Sequence, residues 1–454
     1  MKQLFLLGGR VLSALVALAS GASHAAAGDF DPSFNGVGLT RHATSESALA
    51  IEVAVYSSGE IVTLGNSGDG RPILWRQLPD GTPDSSFGGT GVVYPPVPAA
   101  TNGADSIALD NLNRIVVVGF LDTGYVLWRI NFDGSPDLSF GGTGYLSFTV
   151  GALPNPISGV AVQSDDKIVG VGGTLGSRSQ FIAYRVTEAG ELDSTFGGTG
   201  IVFTEITAGG GVDRATGVAI QPDGRIVAAG RARSVFTFNY QVALARYLPS
   251  GELDQEFGDQ GKVVFSIFDN NLGRKVAIQP DGKIVVTGTT CADLGGDNPY
   301  CYFGVARVDG RGVLDPTFGA GGRAYTDVGP TGGAAYDLAL QSDNKIAVVG
   351  LRFLDDMTTL VNAILVRYQD NGTLDATFGL NGISETNFGY AISEAFGLGF
   401  QPDGNIVTAG FTTRSDSSTG FAVTARYSSQ APLSLKSELQ GAARPRDIAH
   451  VILP

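Results

Sequence analysis

The sequence predicts an all-β fold, a seven-bladed β-propeller of four-stranded antiparallel meanders, on three recurring patterns. Asp-x-x-Phe occurs at Asp31, Asp84, Asp137, Asp193, Asp254, Asp315 and Asp375. An aliphatic run ending in Gly is centred on Ile61, Ile115, Ile168, Ile226, Ile284, Ile346 and Ile406. An alternating apolar run closes at Arg76, Arg129, Arg185, Arg246, Arg307, Arg367 and Arg426. A period of roughly 50 to 60 residues belongs to units that cannot bury a core alone and must stack or close round an axis.

Within a copy, each element follows from local chemistry. In the fourth copy, Thr216 to Ile220 reads as a first strand, and Gln221-Pro222-Asp223-Gly224 as a turn. Arg225 to Ala229 reads as a second strand stopped by Gly230, and Val242 to Tyr247 as a third. A turn through Ser250 and Gly251 leads to the Asp254 motif, and Lys262 to Ser266 reads as a fourth strand. Short β-branched runs punctuated by Asp-Gly and Gly make antiparallel meanders, and no window carries helical spacing. A row of meanders leaves strand edges open, and closing it into a ring covers them. Asp-x-x-Phe is missing after Arg426, whereas an unaccompanied copy, Asp31 to Phe34, precedes the first full repeat. Pairing of the N- and C-terminal strands therefore closes the ring. A framing that starts each blade at the fourth strand needs no split blade, and it gives the same count.

The motif set resembles the delta-60 repeat family of bacterial proteins, with the form Gln-Pro-Asp-Gly-Lys-Ile-Val-Val-x-Gly, Phe-x-x-x-Arg-Tyr and Asp-Gly-x-Leu-Asp-x-x-Phe-Gly. Gln279 to Gly288 matches the first part, and Leu374 to Gly379 matches the end of the last. The resemblance runs from about residue 31 to 427 and implies a propeller-like fold of unknown function. Copies 1 to 3 depart from it in the first turn, at Ser57-Ser58-Gly59, Asn111-Leu112-Asn113 and Asp165-Asp166.

Residues 1–27 read as a signal peptide: Lys2 and Arg10 supply charge, Val11 to Ala19 are apolar, and Ala22 to Ala27 are mostly small. The apolar run is too short to span a bilayer, and no later stretch is long enough, so membrane insertion is not expected. The expected location is outside the cytoplasm, secreted or periplasmic. Residues 28–430 form the repeat domain, and 431–454 a tail without the motifs. Net charge is −14, and losing Lys2 and Arg10 makes it more negative, which disfavours nucleic acid as a partner. In an exported chain, Cys291 and Cys301, the two cysteines, read as a local disulfide.

Recurrence separates frame from function. The recurring Arg precedes the next Asp by eight residues in every copy where both occur. Two structural roles suit the Asp: a charge-assisted bond from that Arg, or acceptance of N–H groups in its own turn. The recurring Phe is expected to pack blade on blade, with Trp75 and Trp128 in the core.

Chemistry is sparse. Only His24, His42 and His450 exist, which excludes most His-based triads, His-ligated metal sites and Cys–His nucleophiles. No calcium-loop spacing or phosphate-binding Gly loop occurs, and no cofactor, metal or catalytic residue is assigned. Asp293 and Asp297 could approach a calcium ion, but a solvated loop explains them more simply. Length variation collects between the second and third strands, where the recurring Ile-to-Arg distance is 15, 14, 17, 20, 23, 21 and 20 residues. The longest of these loops carry Arg231, Arg233, Phe236, Phe238, Tyr240, Tyr300 and Tyr302, residue types that anchor interfaces. The same aromatics would also serve simply to cover loop backbone. The expectation is a non-catalytic exported propeller binding a glycan, small ligand or protein through this loop face. The alternative is a propeller hydrolase or lyase using carboxylates at the central channel.

Overall fold

The computed structural model describes residues 25–42, 47–96, 101–121, 124–150, 154–176, 178–207, 211–233, 239–292, 300–354, 360–414 and 420–430. The expected signal segment before residue 25 and the tail from 431 lie outside the described residues. All regular structure among them is β. After β1 (Leu39–Arg41), five four-stranded sheets follow in chain order. The first holds β2 (Ala48–Val55), β3 (Ile61–Ser67), β4 (Pro72–Gln77) and β5 (Val92–Val93). The second holds β6 (Thr101–Leu109), β7 (Ile115–Leu121), β8 (Gly124–Ile130) and β9 (Tyr145–Phe148). The third holds β10 (Pro154–Val162), β11 (Ile168–Thr174), β12 (Phe181–Val186) and β13 (Ile201–Thr204). The fourth holds β14 (Arg214–Ile220), β15 (Ile226–Ala232), β16 (Gln241–Tyr247) and β17 (Lys262–Phe265). The fifth holds β18 (Asn270–Ile278), β19 (Ile284–Ala292), β20 (Tyr300–Val308) and β21 (Arg323–Thr326).

The remaining strands correct the expected blade count. Five blades are separate sheets, not seven. β22 (Gly333–Leu340), β23 (Ile346–Phe353), β24 (Val361–Tyr368) and β25 (Ile383–Thr386) share one eight-stranded sheet with β26 (Ile392–Phe400), β27 (Ile406–Thr413), β28 (Gly420–Tyr427) and β1. The join is a parallel bridge between Val361 of β24 and Ile392 of β26, beside a bond from Val361 N to the Ala391 carbonyl at 3.2 Å. At that point the start of one meander touches the third strand of the one before, and two units fuse. The chain ends meet within the same sheet: β1 pairs antiparallel with β28, Leu39 opposite Ala425 and Arg41 opposite Val423.

The second and third strands of each unit are buried on both faces, as their unbroken aliphatic runs require. Each recurring Phe lies in the core between sheets. Phe196 of the third copy packs with Ala228, Ala245 and Tyr247 of the fourth, and Phe34 with Ile61, Trp75 and Val407. In the second strand, Gly230 is not a stop: β15 runs on to Ala232, and residue 230 is Gly because a Cβ at that position would strike the Arg214 carbonyl of β14.

The recurring Arg and Asp prove to be a repeated rivet, and both roles open to the Asp are filled. In the third copy Arg185 Nε donates to Asp193 Oδ2 at 2.8 Å, while Asp193 Oδ1 accepts from Thr195 N at 3.0 Å and Thr195 Oγ1 at 2.6 Å. The guanidinium lies 4.9 Å from the Phe196 ring centroid. Its Nη1 reaches into the next copy, donating to the Pro249 carbonyl at 2.6 Å. The same reach recurs from Arg129 to Glu188, Arg246 to Gly310, Arg307 to Asp370 and Arg367 to Ser429.

Candidate functional site

The first strand of each unit is innermost. A Cβ built on Gly217 of β14 would stand 2.9 Å from Lys275 Cα of β18, and one on Gly397 of β26 would stand 2.6 Å from Glu52 Cα of β2. These strands carry a β-bulge at a recurring position, seen as register shifts at Ala50/Glu52, Ala104/Ser106, Ala215/Gly217, Gly273/Lys275, Ala335/Asp337 and Ala395/Gly397. A bulge leaves one residue out of the ladder and re-aims its side chain. The bulged residues are Ile51, Asp105, Thr216, Arg274, Tyr336 and Phe396, and all six line one cavity of about 210 Å³ together with Leu49, Glu52 and Lys275. The frame repeats, but what it presents at this position differs in each copy.

Charge in the cavity is arranged, not scattered. The Lys275 ammonium bonds Glu52 Oε1, and Glu52 Oε2 accepts from Ile107 N at 2.8 Å. Burial alone would lower the Lys275 pKa, but the Glu52, Asp337 and Asp105 carboxylates outweigh it and hold the group above its ordinary value. Burial pushes the Asp105 carboxyl up to about 7, against the pull of Arg214 and with a push from Glu52. Asp105 Oδ2 has no hydrogen-bond partner among the described residues. Burial likewise raises Asp337 to about 6 despite Lys275, and its oxygens accept from Leu338 N at 2.8 Å and Leu398 N at 2.9 Å. Arg274 sits 5.4 Å from the Tyr336 ring, and the Tyr336 and Phe396 rings are 5.2 Å apart. Among the described residues, no group of His, Cys, Asp and Glu is placed to hold a metal.

The residues singled out on the loop face divide into two clusters. Arg231 and Arg233 both lie over the Tyr240 ring, at 5.0 and 4.8 Å. Tyr300 and Tyr302 pack edge to face at 4.9 Å, and Tyr302 also meets Phe268 and the exposed Tyr325. The Tyr300 hydroxyl reaches Asp327 Oδ1 at 2.7 Å and the Gly329 carbonyl, so it also ties a loop down. Phe236 and Phe238 lie outside the described residues, as do Asp293 and Asp297. Cys291 and Cys301 form a disulfide between directly opposed positions of β19 and β20, with Cα atoms 4.0 Å apart. His42 is buried, stacked on Trp75 at 4.6 Å and bonded to Thr424 Oγ1 at 2.7 Å, in the frame and away from the cavity.

The cavity residues escaped the sequence reading because they share no motif. The signal available was one column of the aligned repeats, inside the first strand, where residue type changes without rule just after a recurring Ala or Gly.

A profile described as a domain of unknown function (DUF5122) beta-propeller matches residues 163–196, 221–257, 279–318 and 341–378. A comparison with curated proteins gives no match. Among solved structures, the chain resembles a polysaccharide lyase, an ulvan lyase of family PL25 bound to -[GlcA(1-4)Rha3S]-, at 10% identity and a TM-score of 0.52, covering 89% of this chain and 100% of that one. It is also similar to the periplasmic gluconolactonase of Pseudomonas aeruginosa, at 13% identity and a TM-score of 0.42, covering 85% and 97%. YCF48 from Cyanidioschyzon merolae gives 11% identity and a TM-score of 0.42, covering 86% and 98%. The fold is that of a β-propeller, and the matched repeats support a β-propeller repeat family of unknown function.

Proposed function

We propose that the protein is an exported binding module that takes a small ligand or the end of a glycan at the mouth of its central channel. The observation that carries this reading is the bulge position, where one backbone geometry presents Asp105, Thr216, Arg274, Tyr336 and Phe396 to a shared cavity. Specific sites need unlike groups converging on one point, and a repeat frame supplies them only by breaking its own symmetry there. Arg231, near the end of β15 where the loop to the third strand begins, stands close enough to repel Arg274 of the cavity lining. The Cys291–Cys301 bridge suits an oxidising compartment. Among the described residues, no helix is long and apolar enough to cross a membrane. The test is calorimetry of the purified protein against a panel of mono- and oligosaccharides. Binding lost in Phe396→Ala supports the channel. Binding that survives Phe396→Ala but is lost in Arg233→Ala and Tyr300→Ala moves the site to the loops.

One observation favours the catalytic alternative: Asp105, whose carboxyl burial pushes up to about 7, lies in the same cavity as the Glu52–Lys275 pair. A buried carboxyl group pushed up towards neutrality beside a second carboxyl group suits general acid–base hydrolysis or elimination. Release of product from a sugar lactone or an acidic polysaccharide, abolished by Asp105→Asn, would make the protein an enzyme.

A further inference from the structure

The chain is acidic overall, yet Arg274 lines the cavity and Arg231 stands close enough to repel it. Arg231 and Arg274 form no ion pair among the described residues, and the Nε of each is buried without a hydrogen-bond acceptor. Burial disfavours both cations, and Arg231 adds repulsion to Arg274. Half-buried like charges with no counter-ion cost free energy, and an incoming anion relieves that cost. The opposite side of the same cavity offers Glu52 and Asp105, whose Oδ2 is unoccupied by any described partner. Carboxyl oxygens so placed accept from hydroxyl groups. Between the two sides stand the Tyr336 and Phe396 rings, apolar faces against which the C–H face of a sugar packs. By liquid volume the cavity of about 210 Å³ holds roughly seven waters, the scale of one sugar unit.

We infer that the channel mouth binds a carboxylate-bearing sugar, with the carboxylate on Arg274 and Arg231 and the hydroxyls on Asp105 and Glu52. This rests on the reading of the channel as a ligand site and names the ligand's chemical class. The deciding experiment is titration calorimetry of the full-length protein with D-glucuronate, D-glucose and sodium sulfate at matched ionic strength. Glucuronate is expected to bind at least about tenfold more tightly than glucose or sulfate. Arg274→Gln should remove that preference while leaving any weak glucose binding in place. Should Arg274→Gln fail to fold, Arg231→Gln serves as the second variant and is expected to weaken glucuronate by about fivefold or more. Glucose binding equal to glucuronate, lost in Phe396→Ala, overturns the anion assignment and keeps the channel as the site. Sulfate binding equal to glucuronate overturns the sugar assignment. No binding of any of the three by the folded wild type overturns both the inference and the channel reading.

Discussion

Arg426 donates through Nη1 to the carbonyl of Pro79 at 2.6 Å, across 347 positions of sequence. Elsewhere the recurring Arg reaches forward into the following copy, and here the last one reaches the first. Its Nη2 lies 2.9 Å from Asp31, the carboxylate of the unaccompanied N-terminal motif. One side chain thus fastens both ends of the ring, next to the β1–β28 pairing.

A chain shortened to begin at His42 loses β1, Phe34 and the Asp31 carboxylate together. We expect a loss of stability exceeding about 3 kcal/mol, because Arg426 is left as a buried cation without its carboxylate. Thermal melting of the two chains checks this, and equal midpoints would show that the ring does not depend on the closure.

Arg76→Ala should cost about 3 to 5 kcal/mol in urea unfolding. The change strands Asp84, leaves the Phe132 carbonyl and Ser86 Oγ without their donor, and removes the cation between the Phe87 and Phe132 rings. Replacing both Arg76 and Asp84 by Met and Leu should cost less than the single change, since no carboxylate is then left unpaired.

The pH profile should have two limbs. Hydrogen bonds and Arg185 outweigh burial at Asp193 and hold it to about 2, and Thr317 and Arg307 do the same at Asp315. With unfolded values near ~3.9, the stability these two contribute is complete above about pH 4 and is lost as pH falls towards 2. Asp105 and Asp337 act in the opposite sense, at about 7 and about 6. Between about pH 4 and 7 the folded state binds more protons at these groups than the unfolded chain, so stability falls as pH rises. Asp105→Asn should flatten that decline and raise stability at pH 8 by at least about 1 kcal/mol, read from urea midpoints between pH 4.5 and 8.

Replacing Cys291 and Cys301 together by Ser should lower stability by somewhat less than ~3 kcal/mol, the chain-entropy value for so short a loop. Dithiothreitol should lower the midpoint of the wild type and leave the double variant unchanged.

Gly397→Ala should cost about 1 to 3 kcal/mol, because its Cβ would meet the backbone of β2 at Glu52 Cα and force two inner strands apart. Gly310→Ala, with nothing within 4 Å of its Cβ, is the control and should stay within about 0.5 kcal/mol.

The repeating parts of this molecule were legible because their chemistry repeats. The third strand starts at Gln241 where Val242 was expected, and the fourth covers Lys262–Phe265 within the expected Lys262 to Ser266. The recurring Arg, Asp and Phe occupy structural places for the reason given by their recurrence. The separation of all the sheets was not legible, because the bridge from Val361 to Ile392 depends on how two connections come level in space. Nor was the channel site. Asp105, Arg274 and Tyr336 belong to distant parts of the chain, and only closure of the inner strands round one axis brings them to a common cavity.

The Asp31–Arg426 pair also sets an order of events. A chain that emerges N-terminus first presents β1 and its carboxylate long before β28 exists to receive them. Every intermediate length is an open arc that leaves β1 without its partner strand and a sheet face uncovered at each end, and the circle completes only once Tyr427 has appeared. The molecule thereby measures its own length: a product cut short of β28 has no way to hide its first strand, and a protease can tell it from the finished article.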